Sequence, residues 1–339
     1  MFCNTVVTLG TTFYLLKFVI TVLQFLLFGD NSFCSYILDM RKIPLKLKQL
    51  QILEQRSTLG ETEEKEKEKL SRGYAGELEF DKILDAYVSG LDVYHLKDFR
   101  FKNDDARDLT KVVSGSSEVQ IDNVLAAGDR IYTFEVKNFA FDLIYGSKNW
   151  HFTGGSEYKD LSMQVNRQRS SLNFLIRDGG FNYEVISHLV FVNPQQTIYN
   201  MPNLENLIVP SNMGRRLAKI CVSNRYDQSS VVDYLDSRRL VKSMYDLPAN
   251  VSFEALRCGV FCYRCDSTAE LERVNPYKYC CSSCTKEFTV LEVILVLIDE
   301  LKTLNESWEV SPARISAFSG GAVSSSTIRR YKRDGRILL

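Results

Sequence analysis

Asp122, Glu135 and Lys137 are the residues of this sequence whose types and spacing could do chemistry together. Two strand-like runs, Val119 to Ala126 and Arg130 to Val136, flank Ala127-Gly128-Asp129, whose glycine and aspartate suit a tight hairpin turn. In the second run Tyr132, Phe134 and Val136 point one way and Thr133, Glu135 and Lys137 the other, so the acid and the amine share a face. Pairing the runs across the turn brings Asp122 beside them. Two carboxylates and a lysine at the end of a hairpin suit a hard divalent cation and a positioned water, which is what phosphodiester hydrolysis requires.

Other elements must hold that hairpin. Ser71 to Tyr87 has apolar residues at helical spacing (Leu78, Ile83, Leu84, Tyr87), with Glu77 in the first turn, where an acid alone would serve the helix dipole. Asp92 to Phe99 reads as a strand, Lys102 to Val113 as a polar loop, and Trp150 to Tyr158 as an irregular surface loop. Over Asp160 to Arg177 a helix is expected from Leu161, Gln164 or Val165, Gln168, Leu172 and Leu175, which leaves two glutamines along an apolar stripe. A buried glutamine needs hydrogen-bond partners. Val185 to Val192 is apolar apart from Ser187 and His188 and suits a central strand, with His188 read as a satisfied core or edge histidine rather than a ligand. Ser211 to Ile220 reads as a helix capped by Ser211. Helices alternating with strands in this way make an α/β fold.

Several of these residues form a series: Gly73-Tyr74-Ala75-Gly76-Glu77, then Ile121-Asp122, then Gly128 leading into Phe134-Glu135-Val136-Lys137-Asn138, then Gln164 on a later helix. In order and spacing the series resembles the nuclease-related domain family, a branch of the restriction-endonuclease-like, PD-(D/E)xK group. The resemblance implies a restriction-endonuclease-like mixed sheet flanked by helices, and hydrolysis of DNA, or less readily RNA, with Mg2+ or Mn2+. It assigns the cation to Asp122 and Glu135, with the backbone carbonyl of Val136 as a further ligand. Lys137 would orient the water, Glu77 would complete the shell or act as a base, and Gln164 would hold the outer shell. One position departs from the pattern: the family usually follows its Ile-Asp pair with His, and here Asn123 stands there.

Lysine plus arginine and aspartate plus glutamate both number 42, so no overall basic field draws the 339-residue chain to nucleic acid, and contact must come from local patches. The 45% hydrophobic content excludes a wholly disordered chain. Val6 to Phe28 is almost entirely apolar, long enough to span a membrane, and carries only Lys17 as a charge. That lysine costs roughly 2.5 to 3.5 kcal/mol on insertion, which the surrounding Leu, Phe, Ile and Val residues offset. Arg41, Lys42, Lys46 and Lys48 follow, so a single-pass anchor in the cell membrane with the globular part in the cytoplasm is expected. Glu61 to Lys69 alternates acids and lysines and reads as a solvated helical spacer.

Six of the nine cysteines crowd between Cys258 and Cys284. Cys262-x-x-Cys265 and Cys281-x-x-Cys284 have the spacing of two knuckles holding one Zn2+, with Cys280 able to replace Cys281 by a slip and Cys258 spare. Thiolates have no use for magnesium, so this is a second metal site. Beyond it come a helix from Leu291 to Leu304, a short one from Ser311-Pro312 to Phe318, a Gly320-Gly321 turn, and another helix from Ser325 to Arg333. The last pair looks like a helix-turn-helix presenting Ser326, Arg329, Arg330 and Lys332 to phosphates and base edges, or a small helical bundle with a basic tail.

These readings divide the chain into a transmembrane helix over 1–30, a charged helical linker over 31–70, a nuclease-related domain over 71–247, a zinc-ribbon-like piece over 248–290 and a helix-turn-helix-like end over 291–339. They lead to a membrane-anchored, divalent-metal-dependent nuclease directed to nucleic acid by its C-terminal module. The alternatives are a non-catalytic nucleic-acid-binding protein on the same fold and a zinc-dependent regulatory protein.

Overall fold

The expected hairpin forms and lies in the middle of the main sheet. Strand β2 (Glu118–Ala127) turns through Gly128-Asp129 into β3 (Arg130–Lys137), and Ala127 pairs with Arg130. Gly128 has φ +66°, which a first-position glycine supplies without steric cost in the two-residue turns that match strand twist. The computed structural model describes residues 41–103, 118–146, 149–155, 157–158, 161–222, 226–265 and 268–339. The apolar run Val6 to Phe28 and all but the first two residues of the polar loop Lys102 to Val113 lie outside them. Among the described residues no helix is long and apolar enough to cross a membrane.

Five strands form the main sheet in the order β1-β2-β3-β7-β9. β1 (Tyr94–Lys102) and β2 are antiparallel, as are β2 and β3. β7 (Glu184–Phe191) lies parallel to the whole of β3, from Arg130 opposite Glu184 to Lys137 opposite Phe191, and β9 (Leu207–Ile208) continues in parallel. Helices cover both faces, which is why β7 reads as a nearly unbroken apolar run. On one face α3 (Leu161–Asp178) and α5 (Ser229–Arg238) bury Leu172, Leu175, Val231 and Leu235 against Ile121 and Ile131. On the other, α2 (Glu61–Val88) and α4 (Pro210–Ile220) bury Phe80, Leu84, Met213 and Leu217 against Leu125 and Phe134.

The alternation slips where chemistry was expected. Ile121 and Val124 both join the cluster beneath α3, as do Leu96 and Phe99 of β1, although each pair is three residues apart. Asp98, opposite this point, has φ +47°, a left-handed conformation uncommon outside glycine. An irregularity of this kind re-aims a side chain while leaving the rest of the sheet intact.

Three local expectations are revised. The spacer helix does not end before Ser71: Glu61 to Val88 is one helix of 28 residues, about 42 Å long. Glu77 therefore lies in its interior, and the dipole account of that acid does not apply. Ser211 is not a cap, because Pro210 with its fixed φ opens α4, and the Asn212 carboxamide accepts the Val209 N–H at 2.9 Å. Trp150 to Tyr158 is not irregular. It supplies β5 (Asn149–Phe152) and β6 (Glu157–Tyr158) to a second sheet, β6-β5-β4-β8, with β4 (Leu143–Gly146) and β8 (Ile198–Tyr199). Trp150 is buried there between Tyr145 and Phe191, with centroids 5.1 and 5.4 Å away.

The C-terminal part has its own core. A three-stranded sheet of β10 (Leu271–Asn275), β11 (Lys278–Cys281) and β12 (Glu287–Thr289) leads into α6 (Val290–Leu304), followed by α7 (Pro312–Phe318) and α8 (Ser325–Arg333). Thr289 caps α6 by accepting the Glu292 N–H, and Ser311 and Ser324 cap α7 and α8 in the same way. Into this core comes α1 (Leu45–Arg56), whose Ile52 and Leu53 pack with Ile294, Leu297 and Phe318. Arg56 of α1 is 1% exposed, binds Glu300 at 2.5 Å and stacks 3.6 Å above the Phe318 ring.

Candidate active site and metal centre

Glu135 and Lys137 leave β3 on the α3 side, as the period of two requires. Pairing between β2 and β3 stops at Asn123 opposite Phe134, and the next outward N–H, that of Val136, donates to Asp122 Oδ2 at 2.8 Å. The carboxylate thus substitutes for the missing strand partner, and this places Asp122 beside Glu135. Their side chains are almost closed off, with Asp122 7% and Glu135 4% exposed.

α3 supplies the other wall through two glutamines one turn apart. Gln164 Nε2 donates to Glu135 Oε1 at 2.6 Å, and its own Oε1 accepts from Lys137 Nζ at 3.3 Å. Lys137 also ion-pairs with Glu135 Oε1. Gln168, expected only on the apolar stripe, is buried and donates to both Glu135 Oε2 at 2.6 Å and the Gln120 carbonyl at 2.8 Å. Its signal in the sequence was that stripe: an amide among Val165, Leu172 and Leu175 must find buried partners.

α2 brings Glu77 to the same place. The helix approaches the end of β3 closely at Gly76, where Asn138 Nδ2 donates to the Arg72 carbonyl at 2.9 Å. Burial raises the Asp122 carboxyl well above its ordinary range, and the charges of Glu135 and Glu77 push the same way. Lys137 and the Val136 N–H oppose them. Burial would lower the Lys137 ammonium, but Glu135 and then Asp122 hold it above its usual value. Glu77, Asp122, Glu135, Lys137 and Gln164, separated in sequence, are therefore brought together. Asp122 and Glu135 offer carboxylate oxygens of the kind hard cations take, with Glu77 near enough to act on Asp122, although among the described residues only the four cysteines gather three or more ligand atoms within 4.8 Å of one another.

Asn123, at the position where the resemblance expects His, is fully buried. An imidazole reaches it from β1: His95 Nε2 lies 2.6 Å from Asn123 Oδ1, and Nδ1 lies 2.8 Å from Asp85 Oδ1 on α2. His188 is a core histidine that stacks on Phe134 with centroids 5.3 Å apart, but it is not fully satisfied, since its Nδ1 has no hydrogen-bond partner among the described residues. Burial lowers its pKa to about 4.

The second site is formed by Cys262, Cys265, Cys281 and Cys284, whose sulfurs all lie within 4.8 Å of one another. Cys262 and Cys284 are 3.7 Å apart, as are Cys265 and Cys281. Tetrahedral Zn–S bonds of about 2.3 Å set sulfurs about 3.8 Å apart, so this spacing fits one zinc ion. The Arg264 N–H points at Cys262 Sγ, 3.4 Å away, and N–H groups of Cys284 and Ser283 draw the Cys281 thiol down to about 6. Cys281 rather than Cys280 belongs to the set, and Cys258 is exposed outside it. On α8, Ser326, Arg329, Arg330 and Lys332 are exposed, joined by Arg333 and, beyond the helix end, Arg336, while Ile328 anchors the helix inward.

No curated protein and no solved structure matches the chain. The stretch 72–192, about a third of the chain and the part that carries Glu77, Asp122, Glu135, Lys137 and Gln164, matches the family model of the nuclease-related domain, so the chain contains a nuclease-related domain.

Proposed function

We propose that the protein is a divalent-metal-dependent nuclease that hydrolyses phosphodiester bonds, with DNA as the preferred substrate. The observation that carries this reading is the buried Asp122 carboxyl, held by the Val136 N–H and acted on at once by Glu135, Glu77 and Lys137. Asp122, Glu135 and the Val136 carbonyl would hold a Mg2+ or Mn2+ ion, which would supply neutralisation of phosphate charge and polarisation of a water. Lys137 orients that water and offsets charge on the scissile phosphate. Glu77 completes the acid shell or takes the water's proton, and Gln164, in the outer shell, holds Lys137.

Around this centre, Zn2+ on the four cysteines holds the C-terminal module together, and Arg329, Arg330 and Lys332 of α8 bring nucleic acid to the protein by phosphate contact. The apolar segment Val6 to Phe28 anchors the chain in the cell membrane with the globular part in the cytoplasm. Incubating the full chain with Mg2+ and single-stranded DNA, double-stranded DNA or RNA, beside Glu135→Gln and Lys137→Met variants, tests the enzyme. Cleavage lost in both variants supports it. Equal products from all three proteins would overturn it, and binding without any cleavage would leave a nucleic-acid-binding module.

A further inference from the structure

The two glutamines of α3 treat the two oxygens of Glu135 differently. Gln168 is buried, and its single amide nitrogen donates to Glu135 Oε2 at 2.6 Å and to the Gln120 carbonyl at 2.8 Å. One side chain therefore ties the Glu135 carboxylate to the strand that carries Asp122, two residues before it. Gln164, one turn earlier, is exposed and meets Oε1, the oxygen that also receives Lys137. Oε2 meets the buried amide, and Oε1 meets the exposed amide and the Lys137 ammonium.

We infer that Gln168 is a positioning residue that fixes Glu135 through Oε2 so that Oε1 is the oxygen offered to a cation, whereas Gln164 and Lys137 compete with the cation for Oε1. This inference rests on the hydrolytic reading above. A buried amide with both hydrogens engaged cannot leave without exposing two unpaired acceptors, so it stays in place when the site is loaded. A partly exposed amide and an ammonium exchange their partner for water at little cost. Release from Oε1 also frees the Lys137 ammonium to face a phosphate.

The two positions should therefore respond in opposite directions. Mn2+ binding to the full chain, loaded beforehand with Zn2+, is measured by the paramagnetic resonance signal of free Mn2+, with Asp122→Asn as the reference for site-specific binding. Gln168→Met should weaken Asp122-dependent binding about tenfold, the lower end of what loss of a supporting partner costs a metal site. Gln164→Met, which removes a competitor for Oε1, should tighten it, and no tightening there would overturn the competing role. If circular dichroism shows Gln168→Met unfolded, Gln168→Asn, which keeps the amide and shortens its reach, is measured in its place with the same expectation. Asp122-dependent binding weakened equally at both positions, or untouched by the Gln168 change, overturns this inference alone. Absence of any Asp122-dependent Mn2+ binding overturns it together with the metal-dependent reading of the site.

Discussion

A methyl group placed on Gly76 would lie 2.4 Å from Cβ of Asn138, closer than real side chains approach. Asn138 follows Lys137 directly, and Glu77 follows Gly76, so this contact sets how near α2 brings its acid to the end of β3. Gly76→Ala must push the helix outward, at roughly 1 to 3 kcal/mol for overpacking, against a gain of about 1 kcal/mol from helix propensity. Gly73, one turn earlier, has nothing within 4 Å of the same position. Gly73→Ala should therefore stabilise by about 0.5 to 1 kcal/mol. Urea unfolding of the two variants should shift in opposite directions, and only Gly76→Ala should weaken cation binding. Equal shifts would show that the close approach does not matter.

The face shared by Glu135 and Lys137 was legible because a strand has a period of two and Gly128 marks its turn. The Asp122 placement was only half legible. Pairing put it beside Glu135, but the irregularity at Asp98 and Asp122 depends on two strands slipping together, which neither strand shows alone. Gln168 was visible as an amide on an apolar stripe, without its partners. The partner of α1 was hidden for a different reason. Spacing at Ile52 and Leu53 shows that a helix has a buried face, whereas Arg56 finds Glu300 across 244 residues of sequence. Periodicity reports that a surface is buried and carries no information about what buries it.

The Arg56 and Glu300 pair gives that long-range contact a measurable size. Burial pulls the arginine down and pushes the glutamate up despite their contact, so the buried carboxylate depends on the guanidinium to stay charged. Arg56→Met leaves a buried carboxylate unpaired and should destabilise by about 3 to 5 kcal/mol, whereas Arg56→Met with Glu300→Leu should recover most of the loss. Denaturant unfolding of the single and double variants checks this. A double variant no better than the single would mean that the stack of Arg56 on Phe318, rather than the ion pair, carries the effect.

His188 makes stability depend on pH. Its folded pKa is about 4, against about 6.5 when unfolded, because burial excludes the charged form. Above pH 6.5 both states are neutral and the full stability is present. As pH falls from 6.5 to 4 the unfolded chain takes up a proton that the folded protein refuses, so stability drops by about 3 kcal/mol across that window. In His188→Phe, which keeps a ring against Phe134, this part of the acid loss should vanish. Thermal melts of both proteins at pH 7, 5.5 and 4.5 decide it, and parallel losses would show that other groups govern the acid limb.

Removing zinc should loosen a helix more than two hundred residues away from the cysteines in sequence. Cys262 and Cys281 sit in the same buried cluster as Ile52, Leu53 and Ile294, so the thiolate site and α1 share one core. A piece this small depends on its metal for much of its folding free energy. Chelation should therefore speed amide hydrogen exchange throughout Leu45–Arg56 as well as in α6 to α8, while β2, β3 and β7 stay protected. Cys262→Ser should behave like the chelated protein, and Cys258→Ser and Cys280→Ser should retain one zinc per chain by elemental analysis. If α1 keeps its protection after the metal is gone, the zinc-bearing strands and α1 do not fold as one unit, and the apolar contacts of Ile52 and Leu53 alone are enough to hold the helix.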